Sequence, residues 1–156
     1  GDGGLPLLIP PEAVVKFLQW IREGAEKVSR DLSNIDISGC IWYCIDETKE
    51  EIIHNEGLRR LTAYYGPMLS DELLATAGLD RESFKTSDDN FREILARAMM
   101  KLAVTGTFDD VDDIVRRLRI LQSHGLSHFN IGPPLGEDPA KVLEFTAEVI
   151  RRMKQG

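Results

Sequence analysis

The apolar run from Ile35 to Ile45 constrains the fold of this chain more than any other segment. It is rich in β-branched and aromatic residues, so it predicts a β-strand. A second run, from Gly4 to Ile9, is apolar without alternation, which is typical of a strand buried on both faces. A third and shorter strand is predicted from His128 to Gly132. These three segments define the predicted sheet.

The segments between these strands have helical periodicity. Apolar residues recur every three or four positions from Pro11 to Arg30, so this segment is predicted to be a helix. Further helices are predicted from Asp46 or Thr48 to Gly66, from Ser70 to Ala77, over residues 91–102 and 111–121, and after residue 136. The last helix is expected to bury Val142, Phe145, Val149 and Ile150. Strands separated by helices predict an α/β fold with a parallel sheet.

Residues 107–110, Thr-Phe-Asp-Asp, resemble a helix capping box in which Asp takes the place of Glu. The segment is therefore expected to start the helix over residues 111–121.

Composition narrows the class of protein. Hydrophobic residues make up 42% of the 156 residues, and 26 acidic against 19 basic side chains give a net charge of −7. An acidic protein repels phosphate backbones, which argues against nucleic acid as a partner. No apolar run is long enough to span a membrane, and the first residues do not form a secretion signal. We therefore expect a soluble, cytoplasmic protein.

The two cysteines agree with that compartment. Cys40 and Cys44 lie four residues apart in the predicted strand, which puts both thiols on one face and about 13 Å apart. A disulfide needs Cα atoms within roughly 7 Å, so we expect both cysteines to be free thiols.

The chain contains an ordered series of short motifs: Gly1-Asp2-Gly3, Arg22-Glu23-Gly24-Ala25-Glu26-Lys27, Ile35-Asp36-Ile37, Gly106-Thr107, Asp109-Asp110-Val111 and Gly132-Pro133-Pro134-Leu135-Gly136. This series resembles the luciferase-like flavin and deazaflavin oxidoreductases, and among them the coenzyme F-420-dependent methylenetetrahydromethanopterin reductases. The resemblance implies a (β/α)8 barrel, which takes about 250 residues. The chain is therefore expected to be the carboxyl-terminal part of a barrel. We expect one domain over residues 1–156, with about three parallel strands and a helical insertion at about residues 47–105.

The resemblance also implies a cofactor site. It places Gly132, Pro133, Pro134, Leu135 and Gly136 beside the ring of coenzyme F-420 or FMN, with Cys44 at the end of the neighbouring strand. Loops at the carboxyl ends of barrel strands build active sites, which agrees with this placement. The acidic residues Glu137 and Asp138 disfavour direct phosphate binding. The alternative is a plain strand-to-helix turn.

Other polar residues carry two interpretations each. Asp46 is either a helix cap or a catalytic carboxylate. His128 shares a side of its strand with Asn130 and is either a structural residue or a donor to a cofactor carbonyl. His124 and His128 are separated by Gly125, so they are not read as a zinc pair. The aspartates at 109, 110, 112 and 113 are interpreted as the charged start of a helix and not as a calcium loop. No metal site is expected, and no catalytic residue is assigned.

Two functions follow. The first is a partial or split subunit of an oxidoreductase that uses coenzyme F-420 or flavin for hydride transfer and is completed by a complementary amino-terminal barrel subunit. The second is a non-catalytic barrel remnant that acts as a homo-oligomer or binds a partner, because open sheet edges favour association. A bulky residue at Gly132 is expected to abolish cofactor binding only in the first case.

Overall fold

The architecture comes from a computed structural model that describes residues 3–5, 11–85 and 88–155, the side chains of residues 11–13 excepted. The strands are β1 Gly3–Gly4, β2 Asp36–Asp46, β3 Val104–Thr107 and β4 His128–Leu135. The helices are α1 Pro11–Glu26, α2 Lys49–His54, α3 Glu56–Tyr65, α4 Asp71–Ala77, α5 Asp89–Met99, α6 Val111–Ser123 and α7 Pro139–Lys154. The predicted α/β class is confirmed.

Strand β2 is the centre of a parallel sheet. It pairs with β1 near its start, with β3 near its end and with β4 over most of its length. Tyr43 and Cys44 are paired with both β3 and β4, so these two strands flank β2 on opposite sides. All the pairings are parallel, as expected for strands joined through helices.

The two faces of β2 pack against different helices. Ile37, Ile41, Tyr43 and Ile45 belong to a core that also holds buried residues of α1, α6 and α7. The alternate residue Trp42 packs against α4 and α5, and Cys44 packs against Ile52 and Leu58 of α2 and α3. Burial on both faces explains why this strand is apolar from Gly39 to Ile45.

Strand β3 is the element that the periodicity did not predict. Its four residues are too few to show alternation, and they lie where the helical insertion and the capping box were expected to meet. Asp110 is the N-cap of α6, and its Oδ2 accepts hydrogen bonds from the backbone N and the Oγ1 of Thr107 at 2.8 and 2.9 Å. Thr107 therefore ends a strand, and the sheet has four strands among the described residues instead of three.

Several predicted boundaries move. Helix α1 ends at Glu26, before a turn in which Ser29 has a φ of 53°. The helix predicted up to Gly66 is divided at Asn55, which ends α2 and caps α3 by accepting a hydrogen bond from Leu58 N at 3.0 Å. Ile150 was expected in the core and is 48% exposed, because it lies beyond the face of α7 that holds Val142 and Val149.

The first and third strands also differ from the prediction. Strand β1 covers Gly3–Gly4, Leu5 lies outside it, and the rest of the predicted first strand falls at residues 6–9, outside the described residues. Strand β4 continues past Gly132 to Leu135, because a register shift at Trp42/Tyr43 lets Pro134 and Leu135 pair with β2. The helix predicted from Ser70 to Ala77, with Gly78 as its stop, is confirmed by α4.

Helices of the length and apolarity that a membrane crossing requires do not occur among the described residues.

Candidate functional site

The carboxyl ends of β2 and β4 meet at the predicted cofactor turn, Gly132 to Gly136. Gly132 lies so close to β2 that a Cβ at this position would be 2.9 Å from the carbonyl oxygen of Ile41. Leu135 and Gly136 have φ values of 73° and 138°, and the Pro133-Pro134 peptide bond is cis. The turn therefore lies directly on the backbone of β2, at the strand ends where active sites of α/β folds are built.

The turn has one open and one covered side. Pro133 is exposed, whereas Gly132 is buried. Pro134 lies against the start of α3, where a Cβ on Gly57 would be 2.6 Å from the Cβ of Pro134. The corner that joins α2 to α3, residues 53–58, thus covers Pro134, and Pro133 is the exposed residue of the turn.

Asp46 is the last residue of β2 and the most buried carboxylate of the described residues, at 4% exposure. Its Oδ1 accepts a hydrogen bond from the backbone N of Glu137 at 3.1 Å, which ties β2 to the turn. Its Oδ2 is buried and has no hydrogen-bond partner among the described residues. Burial raises the pKa of Asp46, and repulsion from Glu137 and Glu51 adds to the rise, whereas the backbone amide of Glu137 and the nearby side chain of Asn55 oppose it.

The helix-cap interpretation of Asp46 is wrong. Thr48 is the N-cap of α2, and it forms a reciprocal capping box with Glu51. Asp46 instead binds an amide of a segment 91 residues further along the chain. Only the tertiary structure creates that contact, so the sequence carried no signal for it.

Cys44 is completely buried beneath the α2–α3 corner. Burial raises the pKa of its thiol to about 12, with smaller contributions from Asp46 and Glu137. A thiol with such a pKa stays protonated at physiological pH. Its predicted contact with a cofactor stays a prediction, and both Cys40 and Cys44 are free, as expected.

Charges around the turn are mostly negative. Asp138 caps α7 by accepting hydrogen bonds from the backbone N of Ala140 and of Lys141 at 3.1 Å each. The ammonium of Lys141 forms an ion pair with Glu47 and lies 4.3 Å from the centre of the Phe108 ring. The first cation that follows the turn in sequence is therefore already paired, and the surroundings favour an uncharged ligand over a phosphate.

The structure does not bring His128 to the turn. His128 begins β4, at the opposite end of the strand, about 13 Å from Gly132 and about 23 Å from Leu135 at the usual rise per residue. Its Nδ1 lies 2.8 Å from Oδ1 of Asp36, which also accepts a hydrogen bond from Ser127 Oγ at 2.6 Å. These two bonds lower the pKa of Asp36. The geometry supports the structural interpretation of His128; Asn130 is exposed on the same side of β4.

Three of the four aspartates around the start of α6 are engaged individually. Asp112 forms an ion pair with Arg152, Asp113 forms one with Arg116, and Asp110 binds Thr107. In the part of the chain that the structure describes, no group of three acidic, histidine or cysteine residues has the geometry of a metal site.

The residue that sequence reasoning missed at this site is Asn55. It is 3% exposed, its Oδ1 caps α3, and its Nδ2 donates to Oε1 of Glu137 at 3.2 Å. The sequence had one available signal, because Asn is a preferred N-cap and the periodicity changes at this point.

Comparison with known proteins gives the fold a family context. No family model matches the chain. The 5,10-methylenetetrahydromethanopterin reductase of Methanopyrus kandleri is 25% identical over 166 aligned positions, which cover 99% of this chain and 46% of that protein. The chain thus spans about half the length of this curated relative.

Two solved structures share the fold. A coenzyme F-420-dependent tetrahydromethanopterin reductase from Methanopyrus kandleri superimposes with a TM-score of 0.77 at 22% identity, over 98% of this chain and 46% of that one. A coenzyme F-420-dependent secondary alcohol dehydrogenase, solved with an F-420–acetone adduct, superimposes with a TM-score of 0.70 at 18% identity, over 98% and 43%. The resemblance found in the motifs is confirmed: the chain has the fold of part of a luciferase-like (β/α)8 barrel.

Proposed function

We propose that this chain is the carboxyl-terminal part of a luciferase-like oxidoreductase, in which the Gly132–Gly136 turn borders the ring of coenzyme F-420. One observation carries the proposal. The turn lies at the carboxyl ends of parallel strands with Pro133 exposed, in a fold shared with two coenzyme F-420-dependent enzymes. Hydride transfer is the chemistry that the cofactor supplies; the protein positions the ring and the substrate.

The residues of the turn fit an uncharged ring and not a phosphate. Pro133 presents an apolar surface, and the backbone from Gly132 to Gly136 is held against β2. Glu137 and Asp138 follow the turn directly, and Lys141 is paired with Glu47. An anionic group would meet repulsion here, so in this proposal the phosphate of the cofactor is held by another part of the barrel. In this proposal Pro133 contacts the ring and β2 fixes its height above the sheet.

A site of this kind needs the rest of a barrel. Among the described residues β4 pairs only with β2, so its other edge offers free backbone N–H and C=O groups. We propose that a complementary amino-terminal barrel subunit completes the sheet, in the cytoplasm as the composition suggests. FMN is the second cofactor that the resemblance allows.

The alternative function is a non-catalytic remnant that associates with copies of itself. The same free edge of β4 favours this function, because exposed parallel edges are usually covered by association. In that case the turn is a structural strand-to-helix connection.

Native mass spectrometry of the chain, purified gently from its own cells, separates these functions. A complex with a second polypeptide that carries the mass of coenzyme F-420 or FMN supports the oxidoreductase. A cofactor-free homo-oligomer contradicts it and supports the remnant.

A pair of variants then tests the turn itself. Gly132 is unsuitable, because any side chain there collides with Ile41 of β2 and disturbs the sheet under either function. Pro133→Asp places a charge on an exposed position beside the ring, and it is expected to weaken cofactor binding by the complex about tenfold or more, the factor that corresponds to 1.4 kcal/mol. Gln122→Asp, a charge added at an exposed position of α6, is the matched control. Equal binding by both variants would contradict the proposed place of the ring.

A further inference from the structure

The corner that joins α2 to α3, residues 53–58, is held over the turn by a small set of contacts. Asn55 donates from Nδ2 to Oε1 of Glu137 at 3.2 Å, across 82 residues of sequence. Gly57 lies against Pro134 so closely that a Cβ would be 2.6 Å from that ring. Leu58 packs on the thiol of Cys44. The corner therefore covers Pro134 and Cys44, two of the residues predicted to face a cofactor.

Asp46 lies beneath this corner with one oxygen unsatisfied. Oδ1 accepts from the amide of Glu137, whereas Oδ2 is buried without a partner among the described residues. A buried acceptor without a hydrogen bond destabilises a protein, and a buried charge without a partner does so more strongly. The geometry therefore favours the form of Asp46 that carries a proton and no charge.

Apart from the amide of Glu137 and the side chain of Asn55, the groups around Asp46 do not offset a negative charge. Lys141 of α7 is already paired with Glu47, the residue that follows Asp46. The carboxylate of Glu51 accepts a hydrogen bond from Thr48 in the capping box of α2. The titratable groups that face Asp46 are Cys44 on β2, Glu51 on α2 and Glu137 after the turn, and the nearby ion pair is Glu47 with Lys141. All the uncompensated groups are acidic, so ionisation of Asp46 adds a charge that repels its surroundings.

We propose that the α2–α3 corner is a cover over the turn whose closure is controlled by a proton on Asp46. With the proton bound, the corner is closed over Pro134 and Cys44. When Asp46 ionises, Oδ2 requires water, and the corner moves away from the turn to admit it. The bond between Oδ1 and the Glu137 amide is retained, because a carboxylate is the stronger acceptor.

The sign of the pH dependence follows from linkage. The pKa of Asp46 is raised in the closed form, and it returns toward its ordinary value when the corner opens. The closed form therefore binds more protons than the open form between those two values. Raising the pH through this window favours opening, by up to tenfold in the opening equilibrium for each pH unit.

Amide hydrogen exchange of the full chain measures this opening. The amide of Leu58 donates to Asn55 within the corner and is the reporter. After correction for intrinsic exchange, its protection is expected to fall as the pH rises above about 4, the ordinary carboxyl value, while amides of helix α6 keep theirs. Asp46→Asn, which has nearly the same shape and no proton to lose, is expected to remove the pH dependence at Leu58.

Asp110→Asn is the matched control, because Asp110 is also a carboxyl that binds the end of a strand, and its bonds from Thr107 lower its pKa instead of raising it. It should leave the pH dependence at Leu58 unchanged. A second readout is the rate at which Cys44 is alkylated. The ratio of this rate in the unaltered chain to the rate in Asp46→Asn is expected to increase with pH.

The proposal is overturned if Leu58 and the α6 amides change together with pH, or if Asp46→Asn keeps the pH dependence of the unaltered chain. The first comparison needs no variant, so it decides even if a substitution prevents folding. Cofactor binding is not part of this measurement, so a failure of the proposed cover is distinguishable from a failure of the proposed function.

Discussion

Alanine at Gly136, compared with alanine at two other glycines, measures how strongly the turn depends on its contact with β2. Gly136 has a φ of 138°, and a Cβ there would overlap the carbonyl oxygen of Ile45 and lie 3.0 Å from Cγ2 of Val142. Gly78 also has a positive φ, 75°, but a Cβ there would meet nothing within 4 Å. Gly24 lies in helix α1 and has equally open surroundings. The same chemical change therefore meets three environments.

The structure predicts three different free energies of unfolding. Gly24→Ala is expected to stabilise by about 1 kcal/mol, because alanine is the better helix former. Gly78→Ala is expected to cost about 1 kcal/mol, since only the left-handed conformation opposes it. Gly136→Ala has two costs. The conformational cost is about 1–3 kcal/mol. The displacement of a carbonyl group from the β2 ladder costs about 1–3 kcal/mol more. We expect a loss of about 3 kcal/mol or more, a large part of the stability of an ordinary domain.

Urea denaturation followed by far-ultraviolet circular dichroism is the assay, with the three variants and the unaltered chain measured at one protein concentration. Similar slopes with urea would show that the transition midpoints report stability. The reasoning is refuted if Gly136→Ala and Gly78→Ala lose the same free energy within about 0.5 kcal/mol. Such a result would mean that the turn is not held against β2.

Four further outcomes are expected. Burial raises the pKa of Cys44 to about 12, so iodoacetamide at pH 8 should modify Cys44 much more slowly in the folded chain than in the urea-unfolded chain. Peptide mass spectrometry measures both rates, and equal rates would contradict its burial. Arg117→Met removes a guanidinium that donates hydrogen bonds to two backbone carbonyls at β3, and it should lower the free energy of unfolding by about 1–3 kcal/mol in urea denaturation. The control Arg116→Met, at an exposed position, should change this free energy by under about 1 kcal/mol. Equal effects would count against this role of Arg117. Asp110→Asn should be less stable than the unaltered chain at pH 7, because bonds from Thr107 lower the pKa of Asp110 and stabilise its charged form. That stability is lost as the pH falls and the carboxyl is protonated, so the difference between the two chains should vanish in acid. A difference that persists at pH 2 would argue against this role of Asp110. Light scattering at micromolar concentration should show association rather than a single monomer, and a stable monomer without dye-binding apolar surface would refute the open edge.

Much of the architecture was predictable because its signals are local. The apolar stretch of β2 and the stripes of α1, α4, α6 and α7 each lie within one segment. The strand-helix alternation then restricts the sheet to parallel pairing. The turn at Gly132 to Gly136 was also visible as a cluster of Gly and Pro at a strand end. These features need no knowledge of distant residues.

Other features were invisible for an equally physical reason. Strand β3 has four residues and acquires its identity from pairing with Tyr43 to Asp46, not from any pattern of its own. The continuation of β4 through Pro133 and Pro134 depends on a register shift against β2. Short or irregular strands of this kind are defined by their neighbours.

The sequence by itself determined the α/β class, the central strand, the free thiols and the location of the turn, because side-chain periodicity and turn chemistry are properties of contiguous residues. Only the tertiary structure decided the state of Asp46. Read locally, this residue is a polar side chain just before a helix. In the fold it is buried between β2, the α2–α3 corner and an amide 91 residues away, with one oxygen unsatisfied. The free energy of a charged group depends on everything that surrounds it, and these surroundings are assembled from segments distant in sequence.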